Sequence, residues 1–162
     1  MDFTPLVEED IPFLIGVRNE CRHWLHNNSL FTVEECLTWF RQCRPCFFVI
    51  WWRDTKIGYF RTSSFSDGII MVGADLAREY RGKGLAFAAY KEFIPFISER
   101  LGVRCFRLEV LATNSRAIKL YQRLGFFEIN RVENAIERDG KSLGNIEMEL
   151  RVDDIGKWLS SI

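Results

Sequence analysis

Residues 81 to 86, Arg-Gly-Lys-Gly-Leu-Ala, combine two glycines with two basic side chains between a predicted strand and a predicted helix. The apolar run 68–74 is typical of a buried strand, and apolar residues then recur at i, i+4, i+8 and i+11. Gly82 and Gly84 permit positive φ angles and the close approach of an anion, while the helix N-terminus adds partial positive charge. The turn is therefore predicted to bind phosphate, although it matches neither the P-loop pattern nor GxGxxG.

A carboxylate interrupts the apolar segment from Cys105 to Val110. Because side chains alternate between the two faces of a strand, Glu109 and Arg107 lie on the face opposite the apolar residues of this predicted strand. Either Glu109 has a chemical role, or it forms a buried pair with Arg107 or with a loop amide.

A short helix follows that strand. Asn114 is a predicted N-cap, and Gly125 stands where a glycine is expected just past the helix end. Tyr121 lies on the apolar face of this helix, where composition alone favours a packing role.

Two of these motifs resemble one family. Arg81-x-x-Gly84-x-Ala86 resembles the pyrophosphate-binding signature of the GNAT (GCN5-related) N-acetyltransferase superfamily. Asn114-x-x-Ala117-x-x-x-Tyr121-x-x-x-Gly125-Phe126 resembles its second conserved block, at the usual distance. The resemblance implies an α/β fold: one GNAT-like domain over residues 1–162, with a mixed, mostly antiparallel sheet that is splayed at the cofactor cleft and flanked by helices.

The resemblance also implies acetyl-CoA as co-substrate, with no metal. The pyrophosphate would meet the backbone amides of Gly82, Lys83, Gly84, Leu85 and Ala86, assisted by the side chains of Arg81 and Lys83. The pantetheine would pair with the strand end Asp75, Leu76 and Ala77 and contact Asn114. A backbone N–H near Leu76 would stabilise the oxyanion.

Leu108-Glu109-Val110 and the block through Phe126 closely resemble the ribosomal-protein N-terminal acetyltransferases within this superfamily. That likeness implies Glu109 as base, acting through water, and Tyr121 as acid. A phenol of pKa ~10 can protonate a thiolate of similar basicity. Asp75 is an alternative residue for holding the water.

The acceptor is an amine of unassigned identity. Arg18, Arg22, Trp24 and Trp39 lie in a block that loosely resembles bacterial amino-sugar-nucleotide acetyltransferases, where the arginines would meet phosphate and the tryptophans would stack on a base or sugar. In the alternative interpretation the tryptophans are core and the arginines form surface salt bridges. A protein N-terminus and a small-molecule amine remain alternative acceptors, and a non-catalytic acyl-CoA sensor or a CoA-free structural protein are alternative classes.

Composition limits the partners. The 22 basic and 22 acidic residues cancel, which argues against nucleic acid, and no apolar run approaches a membrane span. Five cysteines without a signal peptide favour free thiols in the cytoplasm. Neither Cys43-x-x-Cys46 nor the two histidines have metal-site spacing. We expect a monomer or homodimer.

The predicted element order is β-α-α-β-β-β-α-β-α-β-β. The first helix is predicted from the acidic residues 8–10 to about Asn19, the second begins at the capping box Thr32-x-x-Glu35, and residues 57–63 are expected to form a strand. Four details are specific enough to test: a first strand over residues 2–7, a kink or split of the central helix at Pro95, a connection containing Asp139-Gly140 between strands 126–133 and 145–151, and a terminal helical turn over residues 153–162 with Trp158 packed down.

Overall fold

The computed structural model describes residues 1–153, apart from the side chain at position 64. The terminal turn predicted around Trp158 lies outside these residues. The elements run in order: β1 (Asp2–Pro5), α1 (Ile11–Cys21), α2 (Val33–Cys43), β2 (Phe47–Trp52), β3 (Thr55–Ser66), β4 (Ile69–Leu76), α3 (Leu85–Leu101), β5 (Cys105–Leu111), α4 (Ser115–Arg123), β6 (Phe127–Arg138) and β7 (Lys141–Arg151). Short 3-10 turns occupy Glu8–Asp10, Arg22–Trp24 and Arg78–Tyr80. The predicted α/β class and element order are confirmed, and the strand pairing is mixed and mostly antiparallel.

The chain divides into two compact units. The first comprises residues 1–63 and 72–93, and the second comprises residues 64–71 and those from 94 onwards. In the first unit, β2 pairs antiparallel with both β1 and β3, with Val49 opposite Tyr59. In the core of this unit the ring of Phe60 stacks on that of Phe93. The two ring centroids are 3.9 Å apart and the ring planes are nearly parallel.

The second helix of this unit begins where the sequence predicts. Thr32 Oγ1 accepts the N–H of Glu35 at 3.2 Å, and Glu35 Oε2 accepts the N–H of Thr32 at 2.7 Å. This capping box satisfies donors that the first helical turn cannot satisfy internally. The helix ends at Cys43 and is capped by Arg44, which adopts a left-handed conformation (φ = 43°) before Pro45. α1 and α2 contribute Leu14, Ile15 and Cys36 to a core that also contains Val49 of β2 and Tyr59 of β3.

In the second unit, the start of β4 pairs in parallel with β5, from Ile69 opposite Cys105 to Met71 opposite Arg107. β5 then pairs antiparallel with β7, and β7 with β6. The inward faces of β5 and β7 are apolar, and Phe106, Leu108 and Leu150 are at most 1% exposed. On the outward face Arg107 donates to Glu149 at 2.9 Å.

Two expectations about element boundaries are wrong. The predicted split of the central helix does not occur, since α3 runs as one helix from Leu85 to Leu101 with Pro95 inside it. A kink at Pro95 stays a prediction. The last two strands are also longer than predicted. They form a hairpin whose turn is only Asp139 (φ = 51°) and Gly140 (φ = 71°), a pair suited to two positive φ angles.

The first strand and helix also differ from the prediction in their bounds. β1 ends at Pro5 rather than residue 7, and a 3-10 turn precedes α1. Asp10 terminates that turn, where its carboxylate is buried and accepts from Lys56 at 2.7 Å and from the N–H of Val7 at 3.0 Å.

Candidate active site

The glycine turn of the first unit has the geometry predicted for anion binding. Gly82 and Gly84 adopt φ angles of 78° and 77°, and a side chain at Gly84 would meet open space. α3 begins at Leu85, and the N–H of Ala88 donates to the carbonyl of Gly84 at 3.1 Å. The N–H groups of residues 85 to 87 precede that first helical bond and have no acceptor within the helix. Donors at an exposed helix N-terminus suit an anionic ligand.

The side chain of Arg81 is directed back into its own unit. Its Nε donates to the carbonyl of Leu76 at 2.7 Å, and its Nη2 lies 3.0 Å from Glu20 Oε2 and 3.1 Å from the sulfur of Cys21. Glu20 also accepts the N–H of Arg78 at 2.9 Å. Arg81 therefore ties the glycine turn to the end of β4 and to the last turn of α1. Contact of its guanidinium with pyrophosphate stays a prediction.

The end of β4 presents alternating backbone groups. The N–H of Ala77 donates to the carbonyl of Ile57 on β3 at 2.9 Å. Because successive N–H groups point to opposite edges of a strand, that of Leu76 faces away from β3. β3 approaches closely here, since a Cβ at Gly58 would lie 2.2 Å from the carbonyl oxygen of Asp75. Glycine is thus required at position 58.

The carboxylate of Asp75 is engaged in a buried network. Tyr59 donates its hydroxyl to Asp75 Oδ2 at 2.7 Å, and Arg61 Nε lies 3.4 Å from the same oxygen. Burial, followed by the charge of Asp75, raises the pKa of Tyr59 well above its ordinary value. The sequence suggested a carboxylate at an open strand end, whereas this one is 7% exposed and held by two side chains.

A cleft of about 500 Å³ opens beside this network, entirely within the first unit. We call it the α1–α2 cleft. Its walls come from α1, the segment after it, α2, β2 and β3; the lining residues are Leu14, Ile15, Arg18, Leu25, His26, Asn27, Phe31, Glu35, Cys36, Trp39, Phe47, Tyr59 and Arg61. The volume lies in the usual range for small-molecule sites.

The four predicted substrate residues occupy different positions. Arg18 and Trp39 line the α1–α2 cleft. Arg18 donates to the carbonyls of Asn27 (2.7 Å) and Ser29, so it also supports the loop before α2. Trp24 is 52% exposed in a 3-10 turn, and Arg22 in the same turn lies 3.4 Å from the carbonyl of Asn28.

The two predicted catalytic side chains belong to the second unit. Glu109 is exposed on the outward face of β5, opposite Glu147 of β7, so its carboxylate is not buried. Tyr121 is 9% exposed, and its ring centroid lies 5.9 Å from that of Phe126.

Asn114 organises the helix that carries Tyr121. Its Oδ1 accepts the N–H of Ala117 at 3.2 Å, which confirms the predicted N-cap. Gly125 follows the helix with φ = 89°, as predicted.

Sequence reasoning missed Phe47, Tyr59 and Arg61 as cleft residues. The signal was available, because Tyr59 and Arg61 are two apart in a predicted strand and therefore share a face. What the sequence could not show is that this face meets α1 and α2.

Comparison with known proteins settles the family. The family model for the acetyltransferase (GNAT) domain matches residues 1–127. The chain belongs to the GNAT acetyltransferase family. This confirms both the resemblance and the enzyme class predicted from the sequence. The match spans the glycine turn of this GNAT protein and the segment from Asn114 to Phe126.

Solved structures share the GNAT fold. A ribosomal-protein-alanine N-acetyltransferase from Brucella melitensis superposes with a TM-score of 0.80 at 20% identity, covering 94% of this chain and 100% of its own. A spermidine N-acetyltransferase from Vibrio cholerae gives 0.85 at 16%, covering 96% and 97%. YncA of Salmonella typhimurium, solved with its cofactor acetyl-CoA, gives 0.79 at 16%, covering 94% of each chain. A search of curated proteins found no match.

Two further observations concern the setting of this GNAT protein. Within residues 1–153, no helix has the length and apolar character needed to cross a bilayer. All five cysteines are free thiols; Cys43 and Cys46 are exposed, whereas Cys21 and Cys36 are buried.

Proposed function

We propose that this protein transfers the acetyl group of acetyl-CoA to a primary amine by direct attack. The observation that carries the proposal is the glycine turn, whose positive φ angles and exposed helix start form an anion site within the GNAT match. The acetyl-CoA bound by the Salmonella relative supports the choice of donor.

The backbone of the first unit supplies the donor side of the proposed reaction. The amides of residues 82 to 86 bind the pyrophosphate, with Lys83 exposed beside them. The N–H of Leu76 faces away from β3 and pairs with the pantetheine or the oxyanion, together with the neighbouring backbone of Asp75 and Ala77. Asn114, whose side chain caps α4, contacts the pantetheine.

The proposed chemistry uses one base and one acid. A water held by Glu109 takes a proton from the ammonium, and the amine nitrogen attacks the thioester carbonyl. The tetrahedral intermediate collapses with cleavage of the carbon–sulfur bond, and the hydroxyl of Tyr121 protonates the departing thiolate. The attacking nitrogen loses its second proton in this step, and that proton restores the Tyr121 hydroxyl by way of water. Each proton transfer of this kind contributes ~10²–10⁴ in rate. A direct transfer needs no enzyme nucleophile, and Cys21 is poorly suited to that role because burial raises its pKa to about 12.

We assign the acceptor amine to the α1–α2 cleft, which contains two of the four predicted substrate residues. An amino-sugar nucleotide is the first candidate, and a protein N-terminus or another small amine are the alternatives. A non-catalytic acyl-CoA sensor is the competing class, and the presence of both Glu109 and Tyr121 speaks against it.

The proposal is tested by thiol release from acetyl-CoA with a panel of amines. Glu109→Gln should lower turnover and remove an ionisation from the pH–rate profile. Glu137→Gln, the same substitution at an exposed position of β6, is the matched control and should behave as wild type. An unshifted profile for Glu109→Gln would eliminate Glu109 as the base, and acetyl-CoA binding without turnover on any amine would favour the sensor.

A further inference from the structure

The α1–α2 cleft has a chemistry of its own that narrows the acceptor class. We infer that this cleft selects an amine whose body carries a planar ring and an anionic group, and that it disfavours polyamines. This inference rests on the proposed function, because the proposed function is what assigns the acceptor amine to this cleft.

The walls of the cleft offer flat surfaces. Trp39 and Phe47 lie with ring centroids 5.6 Å apart, and Phe47 and Tyr59 lie 6.1 Å apart with nearly parallel planes. These three rings form a continuous aromatic row from α2 across β2 to β3. Such a row suits a planar ring, because offset stacking matches face to face and excludes water from both partners.

The described lining residues include more positively charged than negatively charged side chains. Two guanidiniums, those of Arg18 and Arg61, line the cleft with a single carboxylate, that of Glu35. The Glu35 carboxylate already accepts both the N–H and the hydroxyl of Thr32, at 2.7 and 2.9 Å. Both bonds fall on Oε2, so Thr32 engages one of the two oxygens of the only carboxylate among the described lining residues.

The two guanidiniums of the cleft have different partners. Arg61 lies beside Asp75, but Arg18 is held by the carbonyls of Asn27 and Ser29 and stacked at 4.3 Å on Phe31, none of which carries charge. Burial, foremost, lowers the pKa of Arg18, while the charge of Asp75 opposes this shift more strongly than the charge of Arg61 adds to it. Two guanidiniums that line one aromatic cleft offer charge-assisted donors to an anionic group.

Asp75 does not offer a second carboxylate to a polyamine. It is 7% exposed and accepts the hydroxyl of Tyr59 at 2.7 Å, so the ring of Tyr59 rather than the carboxylate faces the cleft. Among the described lining residues a polyamine would find one carboxylate for its several ammonium groups, and the desolvation of the others would go uncompensated.

Two kinds of amine share the inferred chemistry. An aromatic amino acid carries its ring and carboxylate close to the amine, and an amino-sugar nucleotide carries a base and a diphosphate. Binding experiments can separate them, since uridine diphosphate reports on the nucleotide source and phenylalanine on the amino-acid source.

The test compares phenylalanine, phenethylamine, uridine diphosphate and spermidine by calorimetric binding and, for the amines, by thiol release from acetyl-CoA. We expect phenylalanine or uridine diphosphate to bind at least about tenfold more tightly than phenethylamine, the value of one charge-assisted hydrogen bond. Arg61→Gln should abolish that preference, whereas Arg61→Lys should retain part of it. Arg41→Gln, which also removes a guanidinium paired with a carboxylate, is the matched control on the exposed side of α2.

Trp39→Ala provides a second variant that leaves the Arg61–Asp75 pair intact, and it should weaken the ring-bearing ligands about equally. Tighter binding of spermidine, or equal binding of phenylalanine, uridine diphosphate and phenethylamine, would overturn the inference. Selective binding of an anionic ring compound without acetyl transfer to any amine would support the cleft chemistry and count against the proposed function.

Discussion

The contacts of Arg81 lead to a prediction about stability in the absence of ligand. Arg81→Met keeps an apolar stem but removes the donor to the carbonyl of Leu76 (2.7 Å) and the ion pair with Glu20 (3.0 Å). If Arg81 organises the turn, the variant should be less stable before any acetyl-CoA is added. If Arg81 instead contacts only the pyrophosphate, Arg81→Met should lower the Tm only when acetyl-CoA is present.

The two contacts differ in expected magnitude. A hydrogen bond from a charged donor contributes about 1.5–3 kcal/mol, and a partly exposed ion pair about 0–1 kcal/mol. The Arg81 and Glu20 side chains are 27% and 39% exposed, which places their pair near the lower value. We expect Arg81→Met to lower the free energy of unfolding by about 2 kcal/mol, which corresponds to roughly 4–8 °C in Tm. Glu20→Gln, which removes only the charge of the ion pair, should cost less than about 1 kcal/mol.

Thermal melting of wild type and both variants, with and without acetyl-CoA, measures these effects. The predicted order of Tm without ligand is wild type, then Glu20→Gln, then Arg81→Met. A wild-type Tm for Arg81→Met without ligand, combined with lost protection by acetyl-CoA, would refute the positioning role and support direct contact with the pyrophosphate.

Further predictions concern the second unit and the thiols. Tyr121→Phe should lower the turnover rate by ~10²–10⁴ with little change in Tm, and an unchanged rate would eliminate Tyr121 as the acid. Asn114→Ala removes a helix cap and should lower the free energy of unfolding by about 1 kcal/mol in denaturant titrations, with Asn114→Asp as the conservative control. At mildly alkaline pH a thiol reagent should label exposed Cys43 and Cys46 quickly and buried Cys21 slowly. Burial raises the pKa of Cys21 from 9.0 to about 12, so the folded protein keeps the thiol proton at a pH where the unfolded chain loses it. The free energy of unfolding of the wild type should therefore fall as the pH rises from about 9 to about 12. Cys21→Ala lacks this thiol, and its free energy of unfolding should fall less steeply over the same range.

Local signals in the sequence predict most of the elements. The capping box at Thr32, the N-cap at Asn114 and the glycine after α4 are short-range patterns whose hydrogen bonds close within a few residues. The glycine turn is equally local, since positive φ angles at Gly82 and Gly84 follow from residue type and position. These predictions were right because the conformations concerned depend on neighbouring residues in the sequence and little on tertiary packing.

The errors come from long-range packing. Pro95 was expected to kink or split the central helix, but α3 is not split, and Phe93, Ile94 and Ile97 around the proline are buried. Asp75 was predicted to hold a water at an open strand end. Its carboxylate is instead buried against Tyr59 and Arg61 of the neighbouring strand. The α1–α2 cleft draws on five segments, and no spacing along the chain indicates that they meet.

The most direct test of the proposed function is a product mass spectrum. Purified protein would be incubated with acetyl-CoA and a mixed pool of peptide, polyamine and amino-sugar substrates, with anionic aromatic amines included, and compared with Tyr121→Phe. The proposal predicts an amine heavier by one acetyl group, formed in step with free thiol and strongly reduced in the variant. Saturable binding of acetyl-CoA with no acetylated amine in any pool would contradict it.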